Sequence, residues 1–165
     1  MKKAGEISAN ALHYGGQCIK DGMSTYELDK LIHDFIVKHG AKPSFLGLYG
    51  FKGSACLSIN QKVIHGIPSK HEFIKEGDIV SIDTGAFIDG FHGDNAFTFP
   101  CGKISEEARL LLERTNDSLY KGIEQAVAGN RVGDISNAVE TYARSFGYGV
   151  VKTYTGHGVG REMHE

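Results

Sequence analysis

Residues 78–99 read Asp78-Ile79-Val80-Ser81-Ile82-Asp83-Thr84-Gly85-Ala86-Phe87-Ile88-Asp89-Gly90-Phe91-His92-Gly93-Asp94-Asn95-Ala96-Phe97-Thr98-Phe99. Two runs rich in β-branched and aromatic residues flank Asp89-Gly90, a pair suited to a type I′ turn because both central positions need φ > 0. The pattern predicts a hairpin with strands over Asp78 to Ile88 and Phe91 to Phe99. A two-residue turn fixes the register. Ile88 opposes Phe91, Phe87 opposes His92, Gly85 opposes Asp94, and Asp83 opposes Ala96. Opposed residues share a face, as do residues two apart on one strand. Asp83 and Asp94 are therefore diagonal neighbours on one face, roughly 7 Å apart, with Gly85 leaving space opposite Asp94. Carboxylates this close repel unless protonated or bridged by a cation. A pair of divalent metals ~3.5–4 Å apart would satisfy both, although spacing alone is met as readily by two solvated aspartates on an open hairpin.

Upstream, Ala55 to Ile59 and Lys62 to Ile67 flank Asn60-Gln61 and predict another hairpin, with Cys56 opposite His65. A half-buried histidine beside a small cysteine explains that pair. A Cys–His nucleophile is the alternative, but no cysteine-protease motif surrounds Cys56. Four helices complete the pattern. The first runs from about Lys3 to Ile19 on the spacing of Ala4, Ile7, Ala11, Leu12 and Cys18. The second opens at Ser24-Thr25-Tyr26-Glu27, where Ser24 and Glu27 have capping-box spacing, and ends at Gly40. The third starts at Ser105-Glu106-Glu107 and carries Leu112, Leu119 and Ile123. The fourth begins at Asp134 and carries Ile135, Val139, Tyr142 and Phe146. One more strand is expected over Gly149 to Thr155. The order helix, helix, hairpins, then helix, helix, strand begins to repeat itself and stops. An antiparallel sheet with helices on one face follows from it, an α+β arrangement with an incomplete second half. Such a half would leave sheet edge and apolar helix faces uncovered.

The last segment, Gly156-His157-Gly158-Val159-Gly160-Arg161-Glu162-Met163-His164-Glu165, holds three glycines in five residues. They point to a bent backbone with room for a close ligand. In a straight strand His157 and His164 would face opposite ways. A bend could bring both to one site, and a flexible loop with surface histidines is the plainer alternative.

Composition sets the outer bounds. The 165 residues are 41% hydrophobic and 23% charged, which fits one globular domain with a core. A formal net charge of −2 gives no case for nucleic acid or an anionic membrane surface. No apolar run approaches the ~18 residues of a membrane span, and Met1-Lys2-Lys3-Ala4-Gly5 is too polar for a secretory signal. Cys18, Cys56 and Cys101 are odd in number and widely spaced, which argues for a reducing compartment and hence the cytoplasm.

Taken in order, these segments resemble type I methionine aminopeptidases. His65-Gly66-Ile67-Pro68 resembles that family's HGIP signature, after a similar Cys56-Leu57-Ser58-Ile59-Asn60 strand. Asp78 to Asp83 and Asp89 to Asp94 are similar to the strands bearing its two metal-binding aspartates. Gly156 to Arg161, with His164-Glu165, is similar to the segment bearing a metal-binding histidine and a second functional histidine. The resemblance covers essentially the whole chain as a partial catalytic domain. It implies a pita-bread fold, with pseudo-twofold helix-helix-sheet halves, and removal of the initiator methionine from nascent polypeptides, with the ribosome as a candidate place of contact.

It also implies roles. Asp83 would be a bidentate ligand of one metal, Asp94 a bridging ligand, and His157 the imidazole ligand of the other. The cofactors would be two divalent metal ions, of Co, Mn, Fe or Zn, making a nucleophile from water near neutral pH. His164 would stabilise the developing oxyanion and His65 would contact the substrate. Cys56, Phe51 and Met163 would line the methionine pocket. Phe51 and Leu48 stand where tyrosines are familiar, and Met163 where phenylalanine is, which bears on fine substrate preference.

The chief departure concerns glutamates. The family places two metal-binding glutamates downstream, and here only Glu162 and Glu165 follow the glycines. Neither matches those ligands, so three candidate ligands stand for an implied five. The chain also begins at a methionine inside what resembles the family's first helix. It therefore reads as truncated at both ends, with little or no peptidase activity expected of it alone. Competing readings are a proline-specific aminopeptidase or dipeptidase of the same fold, a non-catalytic pita-bread binding protein, and a structural remnant.

Overall fold

The computed structural model describes residues 1–165. Two compact units make up the chain: Met1–Ile104 with His157–Glu165, and Ser105–Gly156.

The first unit holds α1 (Lys2–Cys18), α2 (Thr25–Lys38), β1 (Lys42–Pro43), a 3-10 turn (Leu48–Gly50), β2 (Ala55–Ile59), β3 (Ile79–Ile88) and β4 (Phe91–Pro100). Central to the antiparallel sheet is β3. One of its edges pairs with β4 in the predicted register, from Ile79 opposite Pro100 to Ile88 opposite Phe91. At the tip Asp89 and Gly90 both take positive φ, +54° and +81°, as the turn requires. The other edge carries two short strands in succession, β2 along Val80–Thr84 and β1 along Ala86–Phe87.

Alternation along β3 divides the sheet. Val80, Ile82, Thr84 and Ala86 are fully buried on the helix face, where α1 packs on β3 and β4 and α2 on β1 and β2. Leu28, Ile32 and Ile36 supply α2's apolar stripe. All three are fully buried, each stabilising by about 1.5–3 kcal/mol. The capping box forms as expected: Ser24 Oγ accepts from Glu27 N at 3.2 Å, and Glu27 Oε2 accepts from Ser24 N at 2.9 Å. Ser8 of α1 donates to the Thr84 carbonyl at 2.7 Å. A Cβ at Gly93 would strike the Ala4–Gly5 peptide, so this glycine sets how closely α1 lies on β4. The opposite face of the sheet, carrying Asp83, is left for the site.

Two expectations are corrected. First, no hairpin forms round Asn60-Gln61. Residues 62–67 are irregular, and β2 pairs with β3 instead. Cys56 therefore opposes Asp83 across the ladder, not His65. Asn60 explains the difference: its side chain donates to Asp78 Oδ1 at 2.8 Å and accepts from Ile79 N at 3.0 Å, tying the end of β2 to the start of β3. Second, Gly149 to Thr155 is not a strand. A strand needs a ladder partner, and no segment of the chain pairs with these residues.

In the second unit, α3 (Glu106–Ile123) and α4 (Val132–Ser145) pack on each other. Gly122 admits Val139 and Ile135, and Tyr142 donates to Asp117 Oδ2 at 2.8 Å. The start of α4 lies two residues before Asp134, because that carboxylate reaches back to accept from Arg131 N at 2.7 Å and so marks the third helical residue. Leu119, Ile123 and Phe146 are exposed, which agrees with uncovered apolar faces on these helices.

Candidate metal centre and its pocket

All eight residues singled out in the sequence line one cavity of about 470 Å³ in the first unit. Asp83, Asp94 and His157 sit with His65 and His164, and Phe51, Cys56 and Met163 complete the set. Phe45, Leu48, Tyr49 and Ile67 also line it. Sequence reading assigned those four no site role. A signal was present for Ile67, in the His65-Gly66-Ile67-Pro68 run, and for Leu48, where a tyrosine is familiar.

The carboxylates come from the sheet. Because Cys56 opposes Asp83 and Gly85 opposes Asp94, these side chains share the face away from α1 and α2. The space at Gly85 is not open. Ser44 and Phe45 cover it, and a Cβ there would lie 2.6 Å from Ser44 Cβ and 2.8 Å from the Phe45 ring. Phe45 is thereby brought beside Cys56 and Met163 in a buried apolar cluster, flanked by Leu48, Phe51 and Val159. That cluster is one wall of the cavity. Ser44 Oγ pairs with His92 Nδ1 at 2.9 Å, which fixes the neighbouring imidazole on β4.

His65 arrives without a strand. Gly66 O accepts from Leu57 N at 2.9 Å, and Gly66 N donates to Ser58 Oγ at 3.0 Å. A Cβ on Gly66 would collide with the Leu57 carbonyl, so only glycine lets this segment dock on β2. Just before it, His65 takes φ +58°, outside any strand conformation. The two C-terminal histidines arrive by the bend that the glycines predicted. His92 N of β4 donates to Gly160 O at 2.8 Å, and Glu165 N donates back to Gly158 O at 3.0 Å. The chain thus folds on itself, and the His157 and His164 rings meet edge to face at 4.4 Å.

His157 Nε2 lies 3.5 Å from Asp94 Oδ2, and the Asp83 and Asp94 carboxyls act on each other. Burial first, and the Asp94 charge second, push the Asp83 carboxyl up to about 7. Asp94 is also raised by burial, against the opposing pull of Asp83, His157 and His164. Cys56 is pushed up to about 12, by burial and then by the Asp83 charge. That thiol has little thiolate character near neutrality, which disfavours the Cys–His nucleophile.

This donor set fits divalent cations. Two half-buried carboxylates lie on one face without a basic partner between them, and an imidazole touches only one of them. No three His, Cys, Asp or Glu side chains converge to ring a single ion, so the disposition is a carboxylate pair with an imidazole at one side. Glu165 does not join it: its Oε1 accepts from Arg161 N at 3.2 Å. Neither Glu162 nor Glu165 lines the cavity.

The model of metallopeptidase family M24 matches residues 1–165. The chain belongs to metallopeptidase family M24. Membership implies divalent metal ions as cofactor. A methionine aminopeptidase of Clostridium acetobutylicum is 53% identical over 165 residues, all of this chain and 66% of its own length. In the solved methionine aminopeptidase of Thermotoga maritima the match has a TM-score of 0.97 at 40% identity, covering 100% of this chain and 66% of that one. The prolidase of Pyrococcus furiosus superposes with a TM-score of 0.88 at 26% identity, over 99% of this chain and 47% of that one. The chain thus spans 66% of the curated methionine aminopeptidase, and its fold is the pita-bread fold with the second half incomplete. No helix is long and apolar enough to cross a membrane.

Proposed function

We propose that this site removes the N-terminal methionine from polypeptide chains, with two divalent ions as cofactor and nascent proteins in the cytoplasm as substrates. The observation that carries the reading is the meeting, in one cavity, of the Asp83–Asp94 pair and His157 with an apolar wall of Phe45, Cys56 and Met163. Asp83 and Asp94 would hold the ions from the sheet, and His157 would hold one of them from the C-terminal segment. Bound there, the ions would supply a nucleophile from water near neutral pH and polarise the carbonyl. His164 would donate to the developing oxyanion, and His65 would hold the substrate amide. Cys56, Met163, Phe45 and Phe51 offer polarisable and aromatic surface suited to a thioether.

The test is a protein extended to the length of its relatives, loaded with Mn or Co and given Met-Ala-Ser beside Xaa-Pro peptides. Release of methionine from the first alone is the expected result. Cleavage of the Xaa-Pro panel instead would replace this reading with a proline-specific one, and metal-dependent peptide binding without turnover would make the chain a binding protein. Residues 1–165 alone are expected to show little turnover, since three donors leave most of two coordination shells to water.

A further inference from the structure

The loop before β2 contains a strained residue among those that line the cavity. Tyr49 takes φ +49° and ψ +27°, a region that an L residue with a bulky side chain enters at a cost. It is 89% exposed, so burial does not offset that cost. The turn imposes the conformation. Gly47 N donates to Phe51 O at 2.9 Å, Gly50 N to Gly47 O at 3.1 Å, and Phe51 N to Leu48 O at 2.9 Å. Glycine or asparagine would occupy such a position with less strain. A tyrosine there is explained by what its ring meets. That group is His164, with ring centroids 6.0 Å apart and planes within 24°. His157 meets the same imidazole edge to face at 4.4 Å, so His164 is bracketed by two rings.

We infer that Tyr49 is a positioning residue whose ring, held out by the strained turn, sets the plane of the His164 imidazole at the mouth of the site. The inference rests on the reading of His164 as the oxyanion donor. A donor of that kind acts only when preorganised toward the developing charge. Loosening it should therefore lower kcat and leave KM nearly unchanged. The stack is apolar and π in character, so the tyrosine hydroxyl is not needed for it.

Three variants separate ring, hydroxyl and backbone: Tyr49→Phe, Tyr49→Asn and Tyr49→Gly. The first readout is proton NMR of the His164 ring in the full chain, assigned with His164→Gln. Loss of the Tyr49 ring current should move the His164 resonances in the Asn and Gly variants and leave them near the parent's in the Phe variant. Melting temperatures of the Asn and Gly variants should equal or exceed the parent's, so the shift does not come from lost folding. In the form of the protein that releases methionine, Tyr49→Gly should lower kcat roughly ten- to a hundredfold with KM within about twofold. Tyr49→Phe should keep most of the parent's kcat. Unmoved His164 resonances in Tyr49→Gly, or a Phe variant that behaves like the Gly variant, would overturn the inference. If the parent releases methionine from no peptide, the peptidase reading falls, and the resonances alone then decide whether Tyr49 sets the imidazole.

Discussion

Strands β3 and β4 run side by side for ten residues each round Asp89-Gly90, whereas β2 ends at Ile59 and forms no hairpin with the segment that follows it. Each region delivers a site residue to the same cavity, Asp94 from the first and His65 from the second. The means differ. The hairpin places Asp94 by a repeating ladder, in which every pair reinforces the register. The docked segment places His65 by two hydrogen bonds at Gly66 and a left-handed backbone. A ladder tolerates a local fault, while a single docking point does not.

The largest expected effect lies on the ladder's chemistry. Asp94→Ala, in a protein extended to the relatives' length, should cost more than the roughly hundredfold typical of losing a residue that merely supports a metal ligand. His157→Ala should lower metal content, while His164→Ala and His65→Ala should lose activity with metal content near the parent's. Metal analysis beside methionine release checks all four. Full activity in Asp94→Ala would remove the two-metal reading, and metal loss in His164→Ala would reassign that histidine.

Next come the two glycines that define each region. Gly66→Ala sets a methyl against the Leu57 carbonyl, and packed backbone yields little. A loss of about 3 kcal/mol is expected, at the upper end of overpacking costs, together with displacement of His65 and loss of activity. Gly90→Ala meets open space and only the strain of φ +81°, so about 1–2 kcal/mol with activity retained. Urea unfolding and turnover measure both. Equal losses would mean that the docked segment is as redundant as the ladder.

These differences show what was legible in the sequence. Asp89-Gly90 declares its turn locally, because both residues suit φ > 0, and from it the register, the shared face of Asp83 and Asp94 and the free site face all follow. Asn60-Gln61 looked similar, but only Asn60 takes positive φ. Its side chain binds Asp78 and Ile79, eighteen and nineteen residues away, and no local pattern reports such a bond. Phe45 was missed for the same reason. It reaches the pocket only because Gly85 on a distant strand lets it lie there. The strand expected over 149–155 does not form, because no segment of the chain supplies the ladder partner a strand needs.

A smaller effect tests how β2 begins. Asp29 Oδ1 accepts from Ser54 N and Ala55 N, each at 2.8 Å. Asp29→Ala leaves two buried amides unpaired and should cost about 2–4 kcal/mol. Asp29→Asn keeps the accepting oxygen and should cost well under half of that. Burial raises the Asp29 pKa, against the opposing amides and the His33 charge. The folded chain therefore holds this proton more tightly than the unfolded one. The protonated form's contribution to stability is complete below the ordinary aspartate value and is lost as pH rises through the folded one. Asp29→Asn should flatten that decline in a series of unfolding curves above pH 4. An unchanged slope would show that Asp29 does not titrate differently on folding.

Smallest of all should be Asp89→Asn, at the tip of the hairpin that carries Asp94. Asparagine suits a left-handed turn position as well as aspartate does, and Asp89 at φ +54° is such a position. What changes is one charge. Lys3 Nζ lies 3.0 Å from Asp89 Oδ2, with side-chain exposures of 61% and 68%. An exposed pair of that kind contributes about 0–1 kcal/mol and is screened by salt. The variant should therefore lie within about 0.5 kcal/mol of the parent at physiological ionic strength, with activity unchanged and a slightly weaker dependence of stability on salt. Two aspartates five residues apart on one hairpin would then differ by orders of magnitude in consequence, because Asp94 faces a second, half-buried carboxylate and Asp89 faces water and an exposed lysine. A loss at Asp89 comparable to that at Asp94 would mean that both act through the hairpin's fold, and that the carboxylate pair has no special chemistry.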